Sequence, residues 1–334
     1  MKRIGSLRRV MGWDLMITAA GIFALIYGAA AQPGFFSGFN LSQLIAGVSE
    51  RALIVLPMML LLIAREIDLS VASILALGSV VLGLLVAAGV SPALAIPVVV
   101  ALGACLGAVN GALVVFLGLP SLVVTLGTMA LFRGVGYILL GSGSVNQLPE
   151  GLTNFGVNSV PYTWLPLTII PFLLLAPLFG VMLHLTPTGR RIYAIGGNPV
   201  TALYSGINVS GIRLWLFVAS GAVSSLAGVV YTARLANARA NNGVGMELDV
   251  ITVAMLGGIS VFGGKGGIVG VVMALVLVAV VRNQLGIAGV GGDAQGTVVG
   301  LLLIAALLIR NFSRALGGGR LRRLLKRTGE TPAV

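Results

Sequence analysis

The chain reads as a succession of long apolar runs separated by short polar breaks. The runs at 53–64, 74–90 and 269–281 are continuous. A membrane-spanning barrel strand alternates apolar and polar positions instead, so the pattern argues against a barrel. At about 20 residues per crossing, the runs predict about ten helices, over 13–31, 44–64, 69–90, 94–117, 121–140, 164–185, 213–235, 249–262, 268–285 and 295–311. The eighth is too short to cross upright. It is expected as a re-entrant or broken helix, a form tolerated only inside protein or beside a water-filled cavity. The run at 13–31 is long enough to stay as a span rather than leave with a signal peptide. The expected class is therefore all-α, a polytopic transmembrane helix bundle. A basic N-terminus (1–12) and a basic tail (313–334) flank the transmembrane body (13–312).

Composition sharpens this picture. The hydrophobic set is 57 % of the 334 residues and the charged set 9 %. Soluble domains run near 45–50 % apolar and about 25 % charged, so a soluble enzyme is ruled out. There are 48 glycines, about twice the usual share. The series Gly103/Gly107/Gly111 and Gly292/Gly296/Gly300 each put glycine on one helix face, where backbones can approach closely. Cys105 lies inside an apolar run and reads as a small buried hydrophobe.

The net charge of +12 is a topology signal, not a nucleic-acid footprint. With an even number of spans, both termini share a side. That side holds 16 of the 21 basic residues, including Arg190, Arg191, Arg213 and Lys265, which makes it cytoplasmic. The opposite loop, 141–163, has no Lys or Arg; Arg234 and Arg239 are the exceptions on that side. The tail is expected to anchor the last span against anionic lipid. A faint internal repeat relates 51–90, interrupted at Arg65-Glu66-Ile67-Asp68, to 247–285, interrupted at Gly263-Gly264-Lys265-Gly266-Gly267. Interrupted helices in repeated halves mark the binding sites of many transporters.

No energy source is visible. Gly263-Gly264-Lys265-Gly266 lacks the upstream glycine (position 259 is Ile259) and the Ser or Thr of a phosphate-binding loop. One His and one Cys cannot build a zinc site, so no cofactor or metal is expected. The nine acidic residues fall near span ends or in loops. A proton-coupled carrier usually keeps a carboxylate near the midplane, so an ion-coupled sugar carrier is the weaker alternative. Energy should come from a partner docked on the largest cytoplasmic loop, 186–212. That loop has turn chemistry at Gly196-Gly197-Asn198-Pro199, then a short helix over 199–205 with Pro199 in its first turn and Gly206 as its stop.

The stretch T-x-x-G-R-x-I-Y-A-I-G-G-N-P-x-x-A-x-x-S-G-I-N-V (186–209) resembles the cytoplasmic loop of sugar-type ATP-binding cassette importer permeases. These belong to the ribose/xylose/branched-chain amino-acid permease superfamily. Ile67-Asp68-Leu69-Ser70-Val71, Asn110-Gly111, the run from Pro120 to Thr128, Phe132-Arg133-Gly134 and Glu247-Leu248-Asp249-Val250-Ile251 leading to Gly263-Gly264 match its other motifs. The resemblance spans roughly residues 40–312. It implies a permease dimer, from a second copy or a paralogue, driven by two cytosolic ATPase subunits and fed by a periplasmic solute-binding protein. It makes Thr188, Gly189, Arg190, Gly196, Asn198, Pro199, Ala202 and Gly206 the ATPase-coupling loop, and Asp68, Ser70, Glu247, Asp249, Gly263 and Gly264 motif positions.

The family usually carries two glycines before I-D-L-S, where this chain has Arg65-Glu66. The pair reads as a salt-bridged cytoplasmic cap or as a subfamily mark. The segment Asn237-Ala238-Arg239-Ala240-Asn241-Asn242 most resembles rhamnose-type permeases, with autoinducer 2-type permeases also similar. Candidate path residues are Asn110, Thr125, Thr128, Arg133, Asn237, Asn241 and Asn242, since polar groups within or capping spans can meet sugar hydroxyls. A charge inside a span, as at Arg133, must face a cavity or a partner.

Overall fold

The computed structural model describes residues 2–317, so most of the basic tail lies outside the described residues. The helices are α1 (Lys2–Ala31), α2 (Gly38–Ala46), α3 (Ser49–Ile63), α4 (Val71–Ala87), α5 (Pro92–Phe116), α6 (Ser121–Leu140), α7 (Glu150–Val157), α8 (Ile170–Leu185), α9 (Pro187–Gly197), α10 (Pro199–Tyr204), α11 (Val209–Leu235), α12 (Met246–Leu256), α13 (Ile268–Ile287) and α14 (Gly292–Gly317). Among the described residues the only β-type pairing is two isolated bridges, Val145–Ala238 and Ser159–Pro166.

Each predicted run carries a helix. Among the described residues, five helical stretches are long and apolar enough to cross a membrane, and α2 with α3, bent by 41°, make a sixth if the pair is one span. Of the other predicted spans, α4 and α12 fall short. At 1.5 Å per residue, α4 spans about 25 Å and α12 about 16 Å, against a hydrocarbon core of about 30 Å.

Burial sorts the helices into layers. α3 is buried from Ala52 to Ile63 without interruption. A helix apolar all round belongs in a core, and α3 is that core. It contacts α8, α9, α11, α12 and α13. α11 is 61 % buried over its most apolar stretch, whereas α6 and the α8 stretch are each 28 % buried. Their free faces carry Leu122, Leu126, Leu131, Leu174 and Leu178, the surface a bilayer covers.

Small residues set the closest approach. A Cβ on Gly107 would overlap the Phe217 carbonyl oxygen, and a Cβ on Gly221 would overlap that of Gly103. α5 and α11 therefore touch backbone to backbone, as the first glycine series predicts. The second series does not behave this way. Among the described residues, nothing lies within 4 Å of a Cβ placed at Gly292, Gly296 or Gly300. Cys105 is also exposed rather than buried, because it sits two residues, about 200° of helix, from Gly103 and so faces away from α11.

Contacts between helix ends fix the direction of each pass. The end carrying 186–212 is called lower, and the end carrying 141–163 upper. α3 descends from Glu50, beside Arg234 at the top of α11, to Ile63, which touches the loop before α13. α4 climbs back to where Gly83 meets Val145 and Ala238. α11 rises from Arg213, paired with Glu66 below, to Arg234 above.

Candidate functional site

The lower site begins with its capping groups. Thr186 caps α9, its hydroxyl accepting from the Gly189 amide at 3.4 Å, and Thr188 sits in the first turn beside Pro187. Asn198 caps α10, its Oδ1 accepting from Val200 N at 3.0 Å and Thr201 N at 3.1 Å. Pro199 opens that helix and Gly206, at φ +78°, stops it. Glycine suits this left-handed position because it has no Cβ to clash. Sequence reasoning anticipates α10 but not α9, whose apolar face is only Ile192 and Ile195. Both are fully buried.

One side of this helical pair is fastened to the bundle and the other is free. Gly189 and Gly196 are buried, with no room for a Cβ against the Leu183 and Ile63 carbonyls respectively. Ala202 is buried as well. The Gly264 amide donates to the Ile63 carbonyl at 2.8 Å, and the Tyr193 hydroxyl donates to the Gly266 carbonyl at 2.6 Å. Burial pushes the Tyr193 phenol up to about 12, so the donor stays protonated at ordinary pH. Arg190, Arg191 and Asn198 face outward, as do Val200, Leu203 and Tyr204, the last 87 % exposed.

Behind this face lies a buried polar network at the α3–α4 break. Asp68 is fully buried. Its Oδ1 accepts from Ser70 N at 2.9 Å and Ser70 Oγ at 2.6 Å, and its Oδ2 from Ser220 Oγ at 2.8 Å. Asn110 Nδ2 donates to Ser70 Oγ at 2.7 Å. One carboxylate thus ties α4, α5 and α11 at a single level. Thr125 donates to its own helix at Ser121 O (2.8 Å) and lies 3.3 Å from Ile67 O, while Thr128 bonds Thr125 O at 3.4 Å. These two threonines serve the backbone. Glu66 and Arg213 line a neighbouring cleft of about 330 Å³ with Ser121 and Ser210. Their 2.9 Å pair shows that Glu66 bridges to α11 and not to its neighbour Arg65. Burial pushes the Glu66 carboxyl up, against the pull of Arg213.

The upper end holds a second cluster. Arg133 donates to the carbonyls of Ala240 (3.2 Å) and Asn242 (3.4 Å). These bonds pin the loop after α11. Asn242 donates to Ser79 Oγ at 3.0 Å and to Asn237 O at 3.2 Å, whereas Asn241 is exposed. Asp249 is held between Arg282 (2.7 Å) and Arg51 (3.1 Å). Glu247, two residues earlier, keeps Oε2 buried without a hydrogen-bond partner. Glu50 is fully buried and pairs with Arg234 at 2.6 Å, which accounts for one of the two basic exceptions at this end. Hydropathy alone placed Glu50 and Asp68 at span ends and missed that both are wholly enclosed. The adjacent opposite charges Glu50-Arg51 at the start of an apolar run were the available signal.

The profile of the branched-chain amino acid transport system / permease component family matches residues 40–307. The chain belongs to this family. Its relatives include the D-allose transport system permease protein AlsC of Escherichia coli (strain K12), 38 % identical over 300 residues, covering 89 % of this chain and 91 % of that protein. The ribose import permease protein RbsC of Bacillus subtilis (strain 168) is 35 % identical over 293 residues, 86 % and 90 % of the two chains. The autoinducer 2 import system permease protein LsrD of Escherichia coli O9:H4 (strain HS) is 30 % identical over 311 residues, 90 % and 93 %. No solved structure matches the chain. The permease is a multi-pass inner-membrane protein.

Proposed function

We propose that this permease is the membrane subunit of an ATP-binding cassette importer for a monosaccharide. In this reading it crosses the membrane ten times, with both termini and the lower end in the cytoplasm. The 51–90 and 247–285 stretches are its repeated, interrupted elements. It works as a dimer with a second copy or a paralogue, receives solute from a periplasmic binding protein at the upper end, and hydrolyses nothing itself.

The observation that carries the coupling role is the two-sided character of α9 and α10. Their buried glycines seat on the core, while Val200, Leu203 and Tyr204 with Arg190 and Arg191 stand free on a polar-side helix pair. Apolar side chains rimmed by charge on a water-facing surface fit a protein partner, here the ATPase subunit. Asn110, Thr125, Thr128, Arg133 and the Asn237–Asn242 loop line or brace the route between the two ends. Kinship with allose and ribose permeases supports a monosaccharide, and the Asn237–Asn242 segment makes rhamnose the first to test. Autoinducer 2 is the second reading, supported by a relative that matches 90 % of this chain.

Uptake of labelled rhamnose is measured in cells lacking this chain and in complemented cells. Loss and recovery support both transport and sugar. Unchanged uptake discards rhamnose, and the assay moves to autoinducer 2, ribose and allose. In the complemented strain, the double substitution Arg190→Ala with Asn198→Ala is expected to uncouple transport while leaving the permease in the membrane.

A further inference from the structure

α3 ends in a hydrogen-bonded hook. The Arg65 amide donates to Leu62 O at 3.1 Å and the Glu66 amide to Leu61 O at 2.8 Å, and between them Arg65 sits at φ +68°. This is the reversal that normally ends a helix on glycine, because a Cβ is crowded in the left-handed region. An arginine there is retained against its local preference, so its side chain should supply something a glycine cannot. The contacts show what. Arg65 Nε donates to the Gly196 carbonyl at 2.8 Å and Nη2 to the Gly197 carbonyl at 2.8 Å. Two charge-assisted bonds from one planar fork fix both direction and distance. They grip the last turn of α9, where it hands over to α10.

The same point receives the second interrupted element. Gly264 N reaches Ile63 O, and Gly263, at φ +78°, leaves no space for a Cβ against the Arg65 side chain. The α9–α10 corner, the α3–α4 break and the α12–α13 loop are thus in mutual contact. Beyond the break, Asp68 connects directly to α11 and, through Ser70, to Asn110 of α5.

We propose that Arg65 is the positioning residue that transmits movement of the α9–α10 pair to the two interrupted elements at once. A push on the exposed face of α10 displaces the Gly196 and Gly197 carbonyls. The guanidinium carries that displacement to the α3 hook and the packed Gly263–Gly264 turn, and so to the Asp68 network. Without the guanidinium, α9 still seats through Gly196, Ile192 and Tyr193, but it moves without drawing the break along. This inference rests on the coupling-loop reading given above.

The test is Arg65→Gly in the full importer, reconstituted in proteoliposomes with its ATPase subunits and binding protein. Glycine relaxes the left-handed position, so loss of folding does not confound the variant. The readouts are ATPase subunit retained on the permease, ATP hydrolysed, and sugar moved per ATP. The expected result is full retention of the ATPase subunits, continued ATP turnover and a fall of at least fivefold in sugar moved per ATP. Arg65→Lys, which keeps charge but not the fork, should recover part of that loss. Wild-type sugar per ATP in Arg65→Gly overturns the proposal. So does loss of the ATPase subunit from that variant, which would make Arg65 a docking residue. The Arg190→Ala/Asn198→Ala permease runs in parallel. If it transports normally, the coupling-loop reading itself is wrong; if it is uncoupled while Arg65→Gly is normal, only the transmission role falls.

Discussion

The α5–α11 contact makes a sharp prediction about glycine. In Gly107→Ala the new methyl would overlap the Phe217 carbonyl oxygen. A backbone oxygen inside a helix cannot rotate away, so the two helices must separate locally. Overpacking of this kind costs about 1–3 kcal/mol, and a gap of 0.5–1 Å forfeits about a quarter to a half of each dispersion contact nearby. Against this, alanine gains about 1 kcal/mol of helix propensity over glycine. The net expectation is a loss of up to about 2 kcal/mol. Gly134→Ala on α6 is the matched control, since nothing lies within 4 Å of its Cβ. It should gain up to about 1 kcal/mol by propensity alone. Thermal unfolding of the purified permease in detergent measures both. A midpoint for Gly107→Ala at or above wild type, beside an unchanged or lower one for Gly134→Ala, would refute the backbone-contact argument.

Other perturbations separate the remaining parts of the structure. Arg234→Ala strands the enclosed Glu50 carboxylate, and breaking a buried pair costs about 3–5 kcal/mol. Adding Glu50→Gln should return part of that loss, read as folded yield after solubilisation. Asp68→Asn keeps the shape but replaces an acceptor of the Ser70 and Ser220 hydroxyls with a donor. Its expected outcome is a membrane-inserted permease with uptake lowered at least tenfold, and normal uptake would remove Asp68 from the working machinery. The raised pKa of Glu66 has a definite sign. The folded state holds the proton to higher pH than the unfolded one, so stability falls as pH rises from 4.5, the ordinary carboxyl value, through the raised folded value. Glu66→Gln should flatten that slope in pH-dependent thermal unfolding.

Much of the architecture was legible because membrane burial is written in runs. Every predicted apolar run carries a helix, and α12 has the shortness expected of the eighth. The bend between α2 and α3 was not legible, because Gly47 and Val48 interrupt neither hydropathy nor length. α9 escaped notice because its seat on the core consists of two isoleucines and two glycines, too few for a periodic signal. Glycine spacing was half informative: it marks where close approach is allowed, not which helix arrives. It held for α5, which meets α11, and not for α14, whose glycines meet nothing among the described residues. Polar residues were the hardest to read. The bonds by which Arg133 and Asn242 pin a loop left no trace in the local pattern, and Ser220, which closes the Asp68 network, drew no attention. Their roles depend on partners more than a hundred residues away, which no local pattern reports.

The enclosed position of α3 also constrains how the chain is made. Glu50 emerges early, yet Arg234 follows it by 184 residues and Asp249 follows Arg51 by 198. At roughly 5–20 residues per second of synthesis, Glu50 waits about 10–40 s for its counter-charge. During that interval α3 can neither settle in lipid nor complete its packing. The insertion machinery must shelter it until α11 is threaded, and a chain cut short before Arg234 presents an unpaired carboxylate for membrane proteases to recognise.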